Sequence, residues 1–405
     1  MKDFNSAMAA RLDDLRGKNL LRQLRRIESP QSTQIEAGGQ HLLNFSSNDY
    51  LGLANHPLLK AAAVAAVEKF GAGSGASRLI CGSLAPHLEL EETIADFKGT
   101  EAALSFSTGY AAALGTIGAV LQKQSLIVID KRIHAGLIDA ARLSGARLRV
   151  FRHNDLDDLH KILQWADKRT ADDGSVAGAK RRVLIVTESV FSMDGDLAPL
   201  RELVELKEKF GAWLMVDEAH ATGLFGAHRR GLIEACDLAG RIEIQMGTLG
   251  KAVGASGGYV CGSKMLIDVL LNQARSFIFS TAPVPAASAA ATAGIRLIQS
   301  HDGEMLRQKL WANVDQTKNG LIGAGWPLPA VKSAIIPLIV GRESDALDLA
   351  ARLAAQGIFI PAIRYPTVAL GQARLRLTLS AAHSGGEIQK LILTLGAPPA
   401  RANEK

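Results

Sequence analysis

IEIQMGTLGKAVGASGGYVCG (242–262) holds two short apolar runs, IEIQM (242–246) and GYVCG (258–262), around a glycine-rich loop that carries Lys251. Each run has the length and residue types of a buried strand. Gly250, Gly254, Gly257 and Gly258 flank the lysine, a poor setting for a surface helix. Small neighbours leave room beside the amine for a flat ligand, and a lysine so placed can condense with a carbonyl group. Upstream, WLMVD (213–217) is a third such run, ending in Asp217, with His220 three positions on. A strand-end aspartate can keep a ring nitrogen protonated. A loop lysine with such an aspartate is what pyridoxal phosphate chemistry asks of a protein.

The same texture extends upstream. LIVID (126–130), RLRVF (147–151) and VLIVT (183–187) are strand-like, and helix-like runs cover 87–98 and 109–122. Strands alternating with helices predict an α/β fold, a mostly parallel central sheet with helices on both faces. Functional residues then collect at the carboxyl ends of strands, where Asp130, Glu188, Asp217 and Thr248 fall. DKRTADDGSVAGAKRR (167–182) is charged and lacks apolar periodicity, so it reads as a solvated loop. Past an Ala-rich helix at 286–299, the runs IIPLIV (335–340), IFIPAI (358–363) and RLRLTLS (374–380), with a helix at 345–356, predict a smaller α+β domain. At the other end, LLNFSSNDYLGLANHP (42–57) reads as a short strand and a loop. Residues 7–26 place Leu12, Leu15, Leu20 and Leu24 at helical spacing, with a break near Gly17. That helix is expected to pack on the protein's own body or on a partner subunit. The expected division is an N-terminal helix and arm over 1–50, a large domain over 51–290 and a small domain over 291–405.

With 405 residues the chain can bury large cores in two domains, and 47% hydrophobic with 21% charged residues is ordinary for a soluble enzyme. Aromatics at 5% leave the core to Ala, Leu, Ile and Val. A net charge of +6 suits acidic, phosphorylated ligands, and the basic residues form no long tail of the kind that binds nucleic acid. Cys81, Cys236 and Cys261 are odd in number and far apart, as reduced thiols of a cytoplasmic protein would be. No apolar span of about 20 residues predicts a membrane segment or signal peptide.

Further residues fit the same chemistry. In SFSTGYAAALG (105–115), Ser107, Thr108, Gly109 and Tyr110 precede an Ala-rich helix, and helix-start N–H groups bind phosphate. An N-cap alone would explain the spelling equally well. His134, just beyond LIVID, could lie flat on a ring, and His220 could reach a ring hydroxyl. The letters DEAH (217–220) also spell a nucleic-acid helicase box, but the phosphate loop that box requires is missing from the sequence. Arg374 and Arg376 alternate on one face of a strand, where an arginine fork matches a carboxylate.

The ordered set FSSNDYLGL (45–53), GSGASRL (73–79), STGYAA (107–112), FSMDGDLAPL (191–200), VDEAHATG (216–223), TLGKAVGASGG (248–258), IFSTAPVP (278–285) and RLRLTLSAAH (374–383) resembles the α-oxoamine synthases, fold-type I pyridoxal phosphate enzymes. The resemblance implies a decarboxylative condensation of an amino acid with an acyl thioester. PAIRYPTV (361–368) points to L-alanine and a pimeloyl thioester of coenzyme A or acyl carrier protein, giving 8-amino-7-oxononanoate for biotin. The sibling alternative is glycine with acetyl-coenzyme A. Tyr365 stands where the family spelling has a proline, at a position expected to line the acyl channel. By resemblance, Lys251 binds the cofactor and moves the α-proton, Asp217 holds the ring nitrogen, and His134 stacks on the ring. Ser192 and His220 take the ring-oxygen side, and Ser107, Gly109, Tyr110 and Thr248 the phosphate. Thr281 is expected to reach the cofactor of a second subunit in a homodimer. Arg376 would bind the substrate carboxylate, with Asn48 and Arg22 nearby.

Overall fold

A computed structural model describes residues 3–168 and 182–398, so most of the charged 167–182 stretch lies outside the described residues. The chain divides into two compact units. One comprises residues 51–192 and 196–307; the other comprises 1–50, 193–195 and 308–405. The expected arm over 1–50 is thus grouped with the C-terminal part. The later division falls inside the helix His301–Gly323 rather than near residue 290.

The larger unit is built on a seven-stranded sheet. Its order is Ala102–Phe106, Gly258–Gly262, Ile244–Thr248, Trp213–Asp217, Val183–Glu188, Leu126–Asp130, Arg147–Phe151. All neighbours are parallel except Gly258–Gly262, which runs antiparallel to both strands beside it. The central runs are almost wholly buried, which is why they are unbroken apolar segments instead of alternating ones. Leu126–Asp130, Val183–Glu188, Trp213–Asp217 and Ile244–Thr248 all end on the polar residue expected at a carboxyl edge.

In the smaller unit, Gln34–Ala37 and Gln40–Asn44 form a hairpin, and Ile358–Phe359 pairs parallel to its second strand. A separate sheet places Ala373–Thr378 between Ile335–Gly341 and Ala362–Ile363. The run 358–363 is therefore two strands in two sheets rather than one. Pro361 stands between them and can donate to neither ladder.

The N-terminal helix differs most from expectation. It spans only Phe4–Gly17, with none of its residues buried. Asn19 adopts a left-handed φ of 56°, which ends helical propagation, so Leu20 is buried from a non-helical segment and Leu24 is fully exposed. No described helix is long and apolar enough to cross a membrane.

Candidate active site

Every residue expected to hold the cofactor lies in the larger unit, most of them at the carboxyl edge of its sheet. Lys251 is half-buried, and its Nζ lies 2.8 Å from Nε2 of the buried His220. Asp217 ends its strand at 7% exposure, and one carboxylate oxygen accepts the Ala219 N–H at 2.9 Å. Burial pushes the Asp217 carboxyl up; the Lys251 charge is the main influence pulling it back. An acid so placed can hold a protonated ring nitrogen.

His134 caps the helix Ala135–Leu143, and its Nδ1 accepts the Gly136 N–H at 3.1 Å. With Nδ1 an acceptor, the ring is the neutral Nε2–H tautomer. The surrounding protein lowers its pKa, aided by the Lys251 charge and opposed by Asp217 and Asp139. A neutral, exposed imidazole suits stacking on a ring.

Gly109 opens the helix Gly109–Val120, capped by Thr108, whose hydroxyl accepts the Ala111 N–H at 3.0 Å. Thr248 accepts the Gly250 N–H at 3.2 Å and donates to the Gly257 carbonyl at 2.9 Å, which stiffens the lysine loop. Ser107 is exposed at the same helix start. The Tyr110 hydroxyl donates to Asp139 at 2.9 Å, and the residue's backbone N–H belongs to the first turn of this helix.

The loop glycines act differently from expectation. A Cβ on Gly258 would sit 2.6 Å from the Cα of Gly109, and one on Gly254, at φ 76°, would sit 2.6 Å from the Leu53 backbone. These glycines let backbones meet closely and bring the helix start against the sheet. Of the four, Gly250 alone has no close neighbour, 3.7 Å being its shortest approach. This cradle of helix start, hydroxyls, lysine, buried aspartate and neutral imidazole fits a phosphorylated pyridine aldehyde.

One buried residue is placed at a strand end by the sequence but given no role there. Glu188, 2% exposed, pairs in register with Asp217 and accepts the backbone N–H of His134. A second backbone bond comes from Ser192. Burial, then the Asp217 charge, pushes its carboxyl up to about 8, against Lys251 and the two N–H groups. Its strand-end position was the only sequence signal. Thr281 is exposed and forms an isolated bridge to Ser77.

The expected substrate residues lie in the smaller unit. Arg376 donates to Asn48 Oδ1 at 3.0 Å and to the Tyr50 hydroxyl at 3.5 Å. Its neighbour Arg374 is paired with the Asp194 carboxylate at 2.6 Å. Their strand lies between two others, so neither arginine is an edge-strand charge. Arg22 is exposed and donates to the Tyr365 carbonyl at 3.1 Å.

The sheet order, the antiparallel strand beside the lysine loop and the strand-end aspartate define a fold-type I pyridoxal phosphate architecture. The model of the aminotransferase class I and II family matches residues 40–395, and the chain belongs to that family. It is 47% identical over 381 residues to the 8-amino-7-oxononanoate synthase of Geotalea daltonii, covering 94% of each chain. Among solved structures it resembles a serine palmitoyltransferase from S. paucimobilis with a bound PLP–myriocin conjugate, with a TM-score of 0.88, 31% identity and 97% of each chain covered. It also resembles the 8-amino-7-oxononanoate synthase of Francisella tularensis, with a TM-score of 0.72 and 28% identity, over 87% of this chain and 96% of that one.

Proposed function

We propose that this protein is a pyridoxal phosphate enzyme that joins L-alanine to a pimeloyl thioester, releasing carbon dioxide, free thiol and 8-amino-7-oxononanoate for biotin synthesis. The observation that carries the reading is the grouping of Lys251, His220, Asp217 and His134 at one sheet edge, in a chain 47% identical to an enzyme of that name. The cofactor's protonated ring would take up the electron pair released at the amino acid's α-carbon. Asp217 supports that role by keeping the ring nitrogen charged. His134 covers the ring face and keeps water off it. Lys251 carries the α-proton away and returns one at the end, with His220 beside its amine to hold it. Ser192 and His220 take the ring oxygen; Ser107, Gly109, Tyr110 and Thr248 take the phosphate. Arg376 would bind the alanine carboxylate, with Asn48 orienting the guanidinium and Arg22 near the acyl substrate. The acyl donor is carried by coenzyme A or by acyl carrier protein. The enzyme acts as a cytoplasmic homodimer, with Thr281 reaching the cofactor of the second copy.

The likeness to serine palmitoyltransferase keeps a sibling reaction in view, with glycine or serine in place of alanine. A mass-spectrometric assay separates these. Protein loaded with pyridoxal phosphate receives pimeloyl-coenzyme A and one amino acid at a time. 8-Amino-7-oxononanoate from alanine alone is the expected result. Product only from glycine or serine would keep the mechanism and move the substrate.

A further inference from the structure

Glu188 is a buried acid for which the proposed mechanism has no use. It ends the strand Val183–Glu188, between the strands ending in Asp130 and Asp217. Its carboxylate accepts the backbone N–H of His134, which starts the helix after one neighbouring strand, and that of Ser192, in the turn after its own. These N–H groups belong to the two residues assigned to the face and the oxygen side of the cofactor ring. A carboxyl group at 2% exposure is costly to keep unless it is bonded on both sides, and here both bonds lead to site residues. Other charges facing it come from Asp217 on the adjacent strand and Lys251 in the loop after the next.

We propose that Glu188 is a positioning residue: by tying the His134 and Ser192 backbones to one strand end, it sets how the cofactor ring lies between their side chains. The inference rests on the proposed cofactor reading. Glu188 acts through its neighbours and need not touch the ring. Burial pushes its carboxyl up, and Lys251 and the two N–H groups pull it back. An ionised carboxylate has two oxygens that only accept, so the amide, with one oxygen in place of two, is the fitting probe. Glutamine keeps the shape and one acceptor oxygen but turns an N–H donor toward one of the two backbone N–H groups.

The test uses full-length protein freed of cofactor and titrated with pyridoxal phosphate, read by visible absorbance and visible circular dichroism. Wild type, Glu188→Gln, His134→Ala and the double variant are compared. Glu188→Gln should weaken cofactor binding about tenfold and change the dichroism of the bound ring. His134→Ala should absorb much of that effect, so the two changes should not add. A Glu188→Gln protein with wild-type affinity and dichroism would overturn the proposal, even if its melting temperature fell. Full additivity with His134→Ala would overturn the His134 part. If wild type itself showed no visible band, the cofactor reading would fail instead. Should Glu188→Gln not fold, Glu188→Asp replaces it in the same cycle; its shorter arm cannot span both N–H groups, and the same outcomes decide.

Discussion

Asp217 and Glu218 are consecutive, at 7% and 0% exposure, yet their surroundings differ at almost every point. Glu218 lies 2.5 Å from the Lys98 ammonium and accepts the Ile233 N–H at 2.9 Å, while Lys98 also donates to the Arg230 carbonyl. Burial works against the Lys98 charge, but Glu218, Tyr259 and Cys261 together outweigh it and raise the lysine's pKa. A Cβ on Gly231 would lie 2.2 Å from the Glu218 carboxylate, so the pair is walled in. The Asp217 carboxylate has one backbone bond, from Ala219, and its carboxyl is pushed up by burial. Two buried acids in one motif thus separate into a closed ion pair that holds the fold and an acid whose burial is less fully compensated. The contrast teaches that burial alone does not mark a functional acid; incomplete compensation does.

Removing the Lys251 amine should have the largest effect. Lys251→Ala should abolish turnover and the visible absorbance of bound pyridoxal phosphate, and measurable product from the purified variant would end the assignment. Asp217→Asn comes next, with kcat expected to fall by about 100- to 1000-fold, the range for a removed charge-stabilising group. Its cofactor-free form should be as stable as wild type or more so, because the change removes a charge that burial disfavours. Glu218→Gln should do the reverse. It leaves the Lys98 charge buried without its partner, and unfolding stability should drop by about 3–5 kcal/mol. Urea denaturation and steady-state kinetics on the same three proteins test the comparison directly. If Asp217→Asn destabilised the protein while Glu218→Gln kept it folded and slowed it, the two roles would have to be exchanged.

Much of this is legible in the sequence. Apolar runs of fixed length gave the sheet, and their ends located Asp217, Glu188 and Thr248 because parallel strands place their termini along one edge. Letters alone could not divide D from E in DEAH, since period-two alternation puts them on opposite faces without saying which face is sealed. Nor could they show that Gly254 and Gly258 serve backbone contact, because their partners Leu53 and Gly109 are remote in sequence. The grouping of residues 1–50 with the C-terminal part was hidden for the same reason. It rests partly on Leu43 pairing with Ile358, a register that no local pattern announces. Pro361 was the one readable warning that 358–363 could not be a single strand.

The smallest expected effect concerns a third kind of buried acid, one compensated by a titrating partner. Asp130 ends its strand at 0% exposure and meets His153 Nδ1 at 2.9 Å, while His153 Nε2 meets Asp196 at 2.7 Å. Burial opposes the imidazolium, but the hydrogen bonds and charges of the two aspartates lift its pKa to about 9. A raised pKa means that the folded state holds the proton more tightly than the unfolded chain does. The stabilisation is therefore complete below the ordinary histidine value of 6.5 and is lost as pH rises through about 9. His153→Gln removes the charge and should cost about 1–3 kcal/mol near pH 6, with the gap to wild type closing toward about pH 10. Unfolding curves across that range check the sign as well as the size. A gap that widened with rising pH would mean that the histidine sits neutral between its aspartates. Asp130 would then be held by hydrogen bonds from the Arg132 and Asn154 N–H groups and a neutral imidazole, and the lack of a charged partner alone would no longer single out the active-site acid.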